Sequence, residues 1–174
     1  QRFLHAIDNI DAQIALYDSE GRLVHFNREF KNGAGPSAGL IKPGMTLAES
    51  LRIRFGGGTI PLDAMDREEE WIAERINRFG KSPPPWEFTR GGRIFETREA
   101  NMPDGGVMVV VSDISDQKEN ENAARESEAQ MRLITDAIPV QVAYVDRDHR
   151  VRFANRHYAD WYDYSQNQII GMKM

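Results

Sequence analysis

Short apolar segments, bounded by turns that contain glycine, predict five β-strands in the first two thirds of the chain. The turn Asp18-Ser-Glu-Gly21 joins the first two strands into a hairpin. Gly91-Gly92 joins the third strand to the fourth, and Asp104-Gly105-Gly106 joins the fourth to the fifth. The predicted strands cover residues 13–17, 22–26, 86–90, 93–101 and 107–112.

Apolar residues at helical spacing predict short helices before the first strand and between the second and third strands. Asn27 is a suitable N-cap, Thr46 and Glu49 form a capping box, and acidic residues crowd the first turn of the clearest helix. The predicted helices cover residues 2–10, 27–30, 46–55 and 66–79, and residues 32–39 are predicted to form a loop. Strands divided by a helical middle predict an α+β domain with helices on one face of an antiparallel sheet.

A long polar segment without glycine or proline follows the fifth strand, at residues 114–138. A stripe at alternating steps of three and four residues can be followed along it, as in a coiled coil. Its members are Asn120, Ala124, Ser127, Met131, Ile134 and Ile138. We interpret this segment as a connector helix between two domains; the alternative is a solvated terminal helix with no partner.

Part of the first domain recurs after this helix at a constant offset. Ala15, Asp18, Arg22, Asn27 and Arg28 correspond to Ala143, Asp146, Arg150, Asn155 and Arg156. The second copy reaches Met174 without an equivalent of the last three strands. The sequence therefore predicts a domain at residues 1–113, a connector helix at 114–138 and the first part of a second domain at 139–174.

Composition excludes several classes of function. A net charge of −5 argues against nucleic-acid binding, and the lack of cysteine excludes disulfides and cysteine-based zinc sites. No apolar run approaches a membrane span and no signal peptide is evident, so we expect a cytoplasmic location. We find no catalytic triad pattern and no metal-ligand spacing, and we expect no catalysis from this chain. Because the chain begins at Gln1, we expect it to be a piece of a longer protein.

Three motifs resemble those of the PAS family of sensor domains. They are Phe-Asn-Arg-Glu-Phe at residues 26–30, Phe-Ala-Asn-Arg-His-Tyr at 153–158, and Val-Val-Val-Ser-Asp-Ile-Ser-Asp-Gln-Lys at 109–118. The last is similar to the D-I-T-x-x-K signature at which a PAS domain meets a signalling helix, with Ser115 in place of threonine. The resemblance implies a five-stranded antiparallel sheet, a cleft for a cofactor or metabolite, and dimers that control an output domain. The output we expect first is a histidine kinase of a two-component system. The alternatives are a cyclic-nucleotide cyclase or phosphodiesterase, such as a diguanylate cyclase, and a ligand-free dimerisation scaffold.

The resemblance also suggests site residues. Aromatic and aliphatic side chains that could line the cleft, although core packing is their commoner role, are Phe26, Trp71, Ile72, Trp86 and Phe88. Asp113 and Ile114 would form the junction between the sheet and the connector helix. Arg22 or Arg28 could be the partner of the Asp113 carboxylate, which suits a helix N-cap equally well. For Asn27 and Asn155 we expect helix capping before any contact with a ligand.

The residue types bear on cofactors as well. A cysteine-adduct flavin is excluded because there is no cysteine, whereas non-covalent flavin stays open. Haem-binding PAS domains carry the axial histidine on the helix before the third strand, and residues 66–79 contain none. His25 could reach a haem, but a structural role is commoner for a strand histidine. We therefore expect a colourless small molecule or no ligand.

We also expect a homodimer, held by two parts of the chain. The first is the seam of the connector helix, formed by Ala124, Met131, Ile134 and Ile138. The second is the incomplete second domain, which lacks most of its sheet and should leave apolar residues such as Val151 and Ile169 exposed. A second chain is the partner we expect for this tail, with the first domain or crystal contacts as alternatives.

Overall fold

The computed structural model describes residues 6–174. They form two compact units, which divide between Lys118 and Glu119. The helix predicted at residues 2–10 begins outside the described residues. Each unit is built around its own cluster of buried apolar side chains.

The first unit contains the five predicted strands and the helices predicted between the second and third. In chain order its elements are β1 (Ala12–Tyr17), β2 (Leu23–Phe26), α1 (Arg28–Asn32), a 3-10 helix (Gly35–Leu40), α2 (Leu47–Gly56), a 3-10 turn (Leu62–Ala64), α3 (Glu68–Arg78), β3 (Trp86–Arg90), β4 (Arg93–Asn101) and β5 (Val107–Asp113). The capping box of Thr46 and Glu49 at the start of α2 is confirmed. The prediction of a loop at residues 32–39 is wrong in part, because Gly35–Leu40 forms a 3-10 helix. Pro36 lies in the first turn of this helix, where proline is tolerated.

The strands form one antiparallel sheet in the order β2-β1-β5-β4-β3. Ala15 pairs with Val109, and Tyr17 pairs with Val107. Since side chains alternate between the two faces of a strand, these four residues point to the same face, where they join Leu23, Phe30 and Leu47 in the buried core. The prediction of an α+β fold with a five-stranded antiparallel sheet is confirmed. Gly91 and Gly92 both have positive φ, as the tight turn between β3 and β4 requires.

A fully buried asparagine closes the first repeat. The Asn27 side-chain amide donates hydrogen bonds to the carbonyl oxygens of Ile7 (3.0 Å) and Ala12 (2.7 Å). Its oxygen accepts hydrogen bonds from the backbone N–H groups of Ile14 and Phe30, both at 2.9 Å. These four bonds fill the hydrogen-bonding capacity of the side chain, and one of them is the predicted N-cap of α1. A single side chain thus joins the chain before β1, the strand β1 and the helix α1.

The second unit repeats this arrangement. The Asn155 amide donates to the carbonyl oxygens of Thr135 and Val140, both at 2.8 Å. Its oxygen accepts hydrogen bonds from the N–H groups of Val142 (2.9 Å) and Tyr158 (3.0 Å). The surrounding elements are β6 (Ala143–Val145), β7 (Val151–Ala154), α5 (Arg156–Trp161) and α6 (Gln166–Ile169), where α4 denotes the intervening connector helix (Ser115–Ala137). The sequence repeat is therefore a structural repeat.

The tail has a small core of its own, so the expectation that its apolar residues are exposed is wrong for two of them. Val151 and Ile169 are 0% and 1% exposed, respectively. They pack with Ala154 and Ala159 because α6, which the sequence analysis missed, covers the β6-β7 hairpin. The capping box of Ser165 and Gln168 begins this helix. Other apolar residues of the tail, Tyr144, Trp161 and Ile170, are exposed as expected, and the role of the tail in a dimer stays a prediction.

The connector helix α4 has 23 residues and none of them is buried. Met131, Ile134 and Ile138 of the predicted seam are exposed, and so is Leu133, which lies outside the seam. Among the described residues no helix is both long and apolar enough to cross a membrane. The exposed apolar side chains at the end of α4 form a surface that the rest of the described chain does not cover.

We expect Asn27→Ala to lower the free energy of unfolding of the first unit by about 3 kcal/mol or more, because each orphaned buried group costs about 1–3 kcal/mol. Urea unfolding followed by tryptophan fluorescence measures the effect. The control is Asn32→Ala at the exposed end of α1, which we expect to change stability by less than about 0.5 kcal/mol. Equal stability of the two variants would contradict this role of Asn27.

Candidate functional site

A cavity of about 80 Å³ lies between the sheet and the helices of the first unit. Its walls come from β1, β3, β4, β5, α1, α2, α3 and the segment that follows α2. The apolar and aromatic lining residues are Tyr17, Phe30, Leu47, Leu51, Ile60, Pro61, Trp71, Trp86, Phe88, Val109 and Val111. A cavity of this size has room for on the order of five water molecules or a small organic molecule.

The structure brings three of the five predicted lining residues to this cavity, namely Trp71, Trp86 and Phe88. Phe26 lies outside the lining because β2 is the edge strand on the far side of β1, and its ring packs near Phe30 with 5.9 Å between ring centroids. Ile72 lies outside it because it packs with Ala64 in the core beneath α3. His25, also on β2, does not line the cavity.

Arginine side chains at the cavity are the main feature that sequence reasoning missed. Arg54 is buried with 8% exposure, and one guanidinium nitrogen donates to the carbonyl oxygen of Phe30 at 2.8 Å. Its Cζ lies 4.4 Å from the centre of the Phe30 ring. Burial lowers the pKa of Arg54 to about 10, so the group is still charged at neutral pH. The missed signal was helical spacing, because Arg54 falls three residues after Leu51, on the core face of α2.

A buried ion pair holds the second arginine, Arg75 of α3. Its Nη2 lies 2.8 Å from Glu99 Oε1, and the two side chains are only 6% and 1% exposed. The other Glu99 oxygen accepts a hydrogen bond from the Gly80 N–H at 3.2 Å. Arg75 Nη1, by contrast, is buried without a hydrogen-bond partner in the described part of the chain. The carboxylate therefore neutralises this arginine without filling its hydrogen-bonding capacity.

Tyr17 contributes a neutral hydroxyl to the same cavity. Its Oη lies 3.4 Å from Ser50 Oγ, which itself donates to the Leu47 carbonyl at 2.8 Å. The Tyr17 hydroxyl must therefore be the donor to Ser50. Burial raises the pKa of Tyr17, so the phenol stays protonated and carries no charge that could balance Arg54.

The junction between sheet and connector helix is organised by Asp113. Its Oδ1 accepts hydrogen bonds from the Ser115 N–H (3.0 Å) and hydroxyl (2.7 Å), and its Oδ2 pairs with Arg93 Nε at 2.7 Å. The Ser115 hydroxyl oxygen also accepts a hydrogen bond from the Ile94 N–H at 2.9 Å. The Ile114 N–H donates to the Ile94 carbonyl at 2.9 Å, which fixes the chain between β5 and α4 against β4. The Asp113 carboxylate therefore contacts both the backbone N–H of the first residue of α4 and an arginine.

Neither Arg22 nor Arg28 is the partner of Asp113; the structure gives that role to Arg93. Arg22 precedes β2 at the opposite end of the sheet and donates to the Gly44 carbonyl at 3.1 Å. Arg28 Nε lies 3.5 Å from Glu29. Arg93 is the correct partner because the start of β4 lies beside the end of β5, where Phe95 pairs with Asp113.

Comparison with known proteins agrees with this geometry. A family model described as "PAS fold" matches residues 7–122, and a second PAS-fold model matches residues 135–174. The chain therefore belongs to the PAS family, a class of sensor modules in signal-transduction proteins. Within the described residues no cluster of His, Asp and Glu could hold a metal ion.

Solved structures with a similar fold include two bacterial examples. The PAS domain of BvgS from Bordetella pertussis is 20% identical, with 74% of this chain and 96% of that chain covered and a TM-score of 0.41. A domain of a sensory box sensor histidine kinase/response regulator from Geobacter sulfurreducens is 19% identical, with coverage of 64% and 91% and a TM-score of 0.40. No curated protein matches the chain.

We expect Glu99→Gln to lower the free energy of unfolding by about 3–5 kcal/mol, because it leaves the Arg75 charge buried without its counterion. The double variant Arg75→Met/Glu99→Leu should recover most of this loss, since apolar residues can replace a buried pair at little cost. Urea unfolding of both variants and of the unchanged protein in one buffer makes the comparison. A double variant as unstable as the single one would show that the pair is not the source of the effect.

Proposed function

We propose that this chain is the sensory and dimerisation segment of a signalling protein. A ligand in the cavity of the first unit would alter the sheet, and the connector helix would carry that change towards an output domain. The observation that carries the proposal is that both ends of one continuous helix are tied to folded units. Asp113 and Ile94 hold its start, and Asn155 holds the Thr135 carbonyl in its last turn.

These two attachments suit a relay because they use backbone groups that a helix cannot satisfy itself. The first N–H groups and the last carbonyl groups of any helix lack partners within it. The Ser115 N–H is bonded by Asp113, and the Thr135 carbonyl is bonded by the Asn155 amide. A shift of β4 against the end of β5, where Asp113 lies, would therefore act on the helix directly.

A histidine kinase is the output that we propose first, because tandem PAS segments are often joined to that class. A cyclic-nucleotide cyclase or phosphodiesterase is the alternative output. A ligand-free scaffold is the alternative for the first unit itself. We propose no catalytic activity for residues 1–174.

We also propose that the segment is a homodimer through the connector helix. Met131 and Ile134 of α4 and Ile138, the residue after it, lie on one stripe and are exposed in the single chain. Pairing of two such stripes would remove these side chains from water, which favours association by about 25 cal/mol per Å² of apolar surface. The first half of the stripe is polar, with Asn120 and Ser127. It would determine the register of the two paired helices more than the affinity between them.

We expect Ile134→Lys to convert a dimer into a monomer at micromolar concentration, because an unpaired charge buried in the seam costs several kcal/mol. The matched control is Ala129→Lys, which introduces the same side chain on the opposite face of the same helix. Light scattering over a range of concentrations measures the mass. A monomeric unchanged protein, or two variants that dissociate equally, would contradict the seam.

The output is tested with the full-length protein and radiolabelled ATP. We expect autophosphorylation that is stable in base and lost in acid, as a phosphohistidine is. Asp113→Ala should change the labelling rate by about fivefold or more, whereas Asp116→Ala in the exposed first turn of α4 should leave it within about twofold. Absence of labelling, with cyclic-nucleotide synthesis or hydrolysis instead, would assign the alternative output. Equal rates in the two variants would contradict the relay through Asp113.

A further inference from the structure

Three guanidinium groups, those of Arg54, Arg75 and Arg90, line the cavity of the first unit. Glu99 pairs with Arg75. Among residues 6–174 no carboxylate forms an ion pair with Arg54 or Arg90. The cavity therefore carries two positive charges without an ion-pair partner among the described residues.

Arg90 is held at the cavity by backbone and aromatic groups. Its Nη1 donates to the carbonyl oxygens of Gly33 (3.4 Å) and Thr59 (3.5 Å). Its Cζ lies 4.4 Å from the centre of the Phe95 ring. Burial lowers the pKa of Arg90, while the charge of Asp113 opposes that shift without direct contact. The two long bonds to carbonyls leave room for a stronger acceptor.

Arg54 has the greater need of a counterion, because its side chain is buried. Its guanidinium makes one short hydrogen bond, to the Phe30 carbonyl, and a long one of 3.5 Å to the Gln13 side-chain oxygen. The hydroxyl of Tyr17 is neutral, as the raised pKa of Tyr17 shows. A buried charge without a counterion is unfavourable, and a second cation at the same cavity adds repulsion. Apolar side chains at these positions would serve core packing better.

We propose that the cavity binds a small organic carboxylate, with Arg54 as its principal partner and Arg75 Nη1 as a further donor. The ligand class deepens the sensory role proposed above and rests on it. A planar carboxylate matches the paired N–H groups of a guanidinium. Trp71, Trp86 and Val109 provide an apolar wall that suits a short carbon chain and would leave inorganic phosphate poorly solvated. A volume of about 80 Å³ limits the ligand to a few carbon atoms.

The first test compares anions with neutral analogues of the same shape on the unchanged protein. Butyrate and succinate are titrated by calorimetry and thermal unfolding against butyramide and succinamide, with sodium chloride holding ionic strength constant. We expect a carboxylate to bind with one site per chain and to raise the melting temperature, and the matching amide to do neither. Equal effects of acid and amide, or no effect of either acid, overturn the proposal.

The second test assigns the charge partner. Arg54→Met should weaken the binding of the carboxylate by on the order of thirtyfold or more, because it removes a buried charge-assisted contact. The control is Arg52→Met on the same helix, whose exposed side chain pairs with Glu69, and we expect affinity within about twofold of the unchanged protein. An unchanged affinity in Arg54→Met overturns the assignment. If that variant does not fold, the double variant Arg75→Met/Glu99→Leu takes its place, because it removes the Arg75 Nη1 donor together with its buried counterion. We expect weaker binding of the carboxylate there as well, and unchanged affinity overturns the assignment.

The outcomes separate the ligand class from the sensory role. An amide that binds as well as its acid would overturn the anion assignment and leave the relay through Asp113 intact. A carboxylate that binds through Arg54, together with equal labelling of the Asp113→Ala and Asp116→Ala variants of the full-length protein, would retain the site and remove the relay.

Discussion

A buried asparagine with all of its hydrogen bonds made is the interaction on which both repeats depend. The Asn27 and Asn155 side chains are each fully buried, and each amide spans three segments that are separate in the chain. Leucine, although similar in size, could not replace them, because the carbonyl and N–H groups around it would remain buried and unpaired. In the second repeat the segment before the hairpin is the end of α4. The connector helix is therefore built into the closure of the second unit and is more than a spacer.

At the cavity, by contrast, charged side chains are buried without partners for all of their hydrogen-bonding groups or their charge. Arg75 has a carboxylate partner, but its Nη1 has no hydrogen-bond partner among the described residues. Arg54 has carbonyl and aromatic contacts but no counterion there. An apolar replacement of such groups commonly preserves or raises stability. Their presence in the centre of the domain is thus hard to explain by folding alone. At Asn27 every hydrogen-bonding group of the side chain has a partner within the first unit. At the cavity some arginine N–H groups do not, and these donors remain for a ligand.

The sequence predicted features set by residues close together in the chain better than features set by residues far apart in it. Turn glycines, the Thr46 capping box and the Asn27 cap are local, and these features were predicted correctly. The Arg93 partner of Asp113 depends on the register of the β4-β5 hairpin, which places the start of β4 beside the end of β5; the turn predicts the hairpin but was not used to derive this pairing. Phe26 was assigned to the cleft because the strand order was not known, and its strand lies at the far edge of the sheet. Arg54 and Arg75 were missed although helical spacing places them on core faces, because arginine side chains are mostly exposed in proteins and spacing alone does not predict a buried one.

The strand order also governs how the first unit can assemble during synthesis. β1 lies between β2, its immediate neighbour in sequence, and β5, so that Ala12 pairs with Ser112. The hairpin and its asparagine closure can form as soon as Asn27 and the turn after it have emerged. The other edge of β1 must then wait for β5, with its N–H and C=O groups unpaired until then. Closing so long a loop is entropically slow, and until it closes the edge of β1 presents unpaired backbone donors and acceptors that the finished sheet covers.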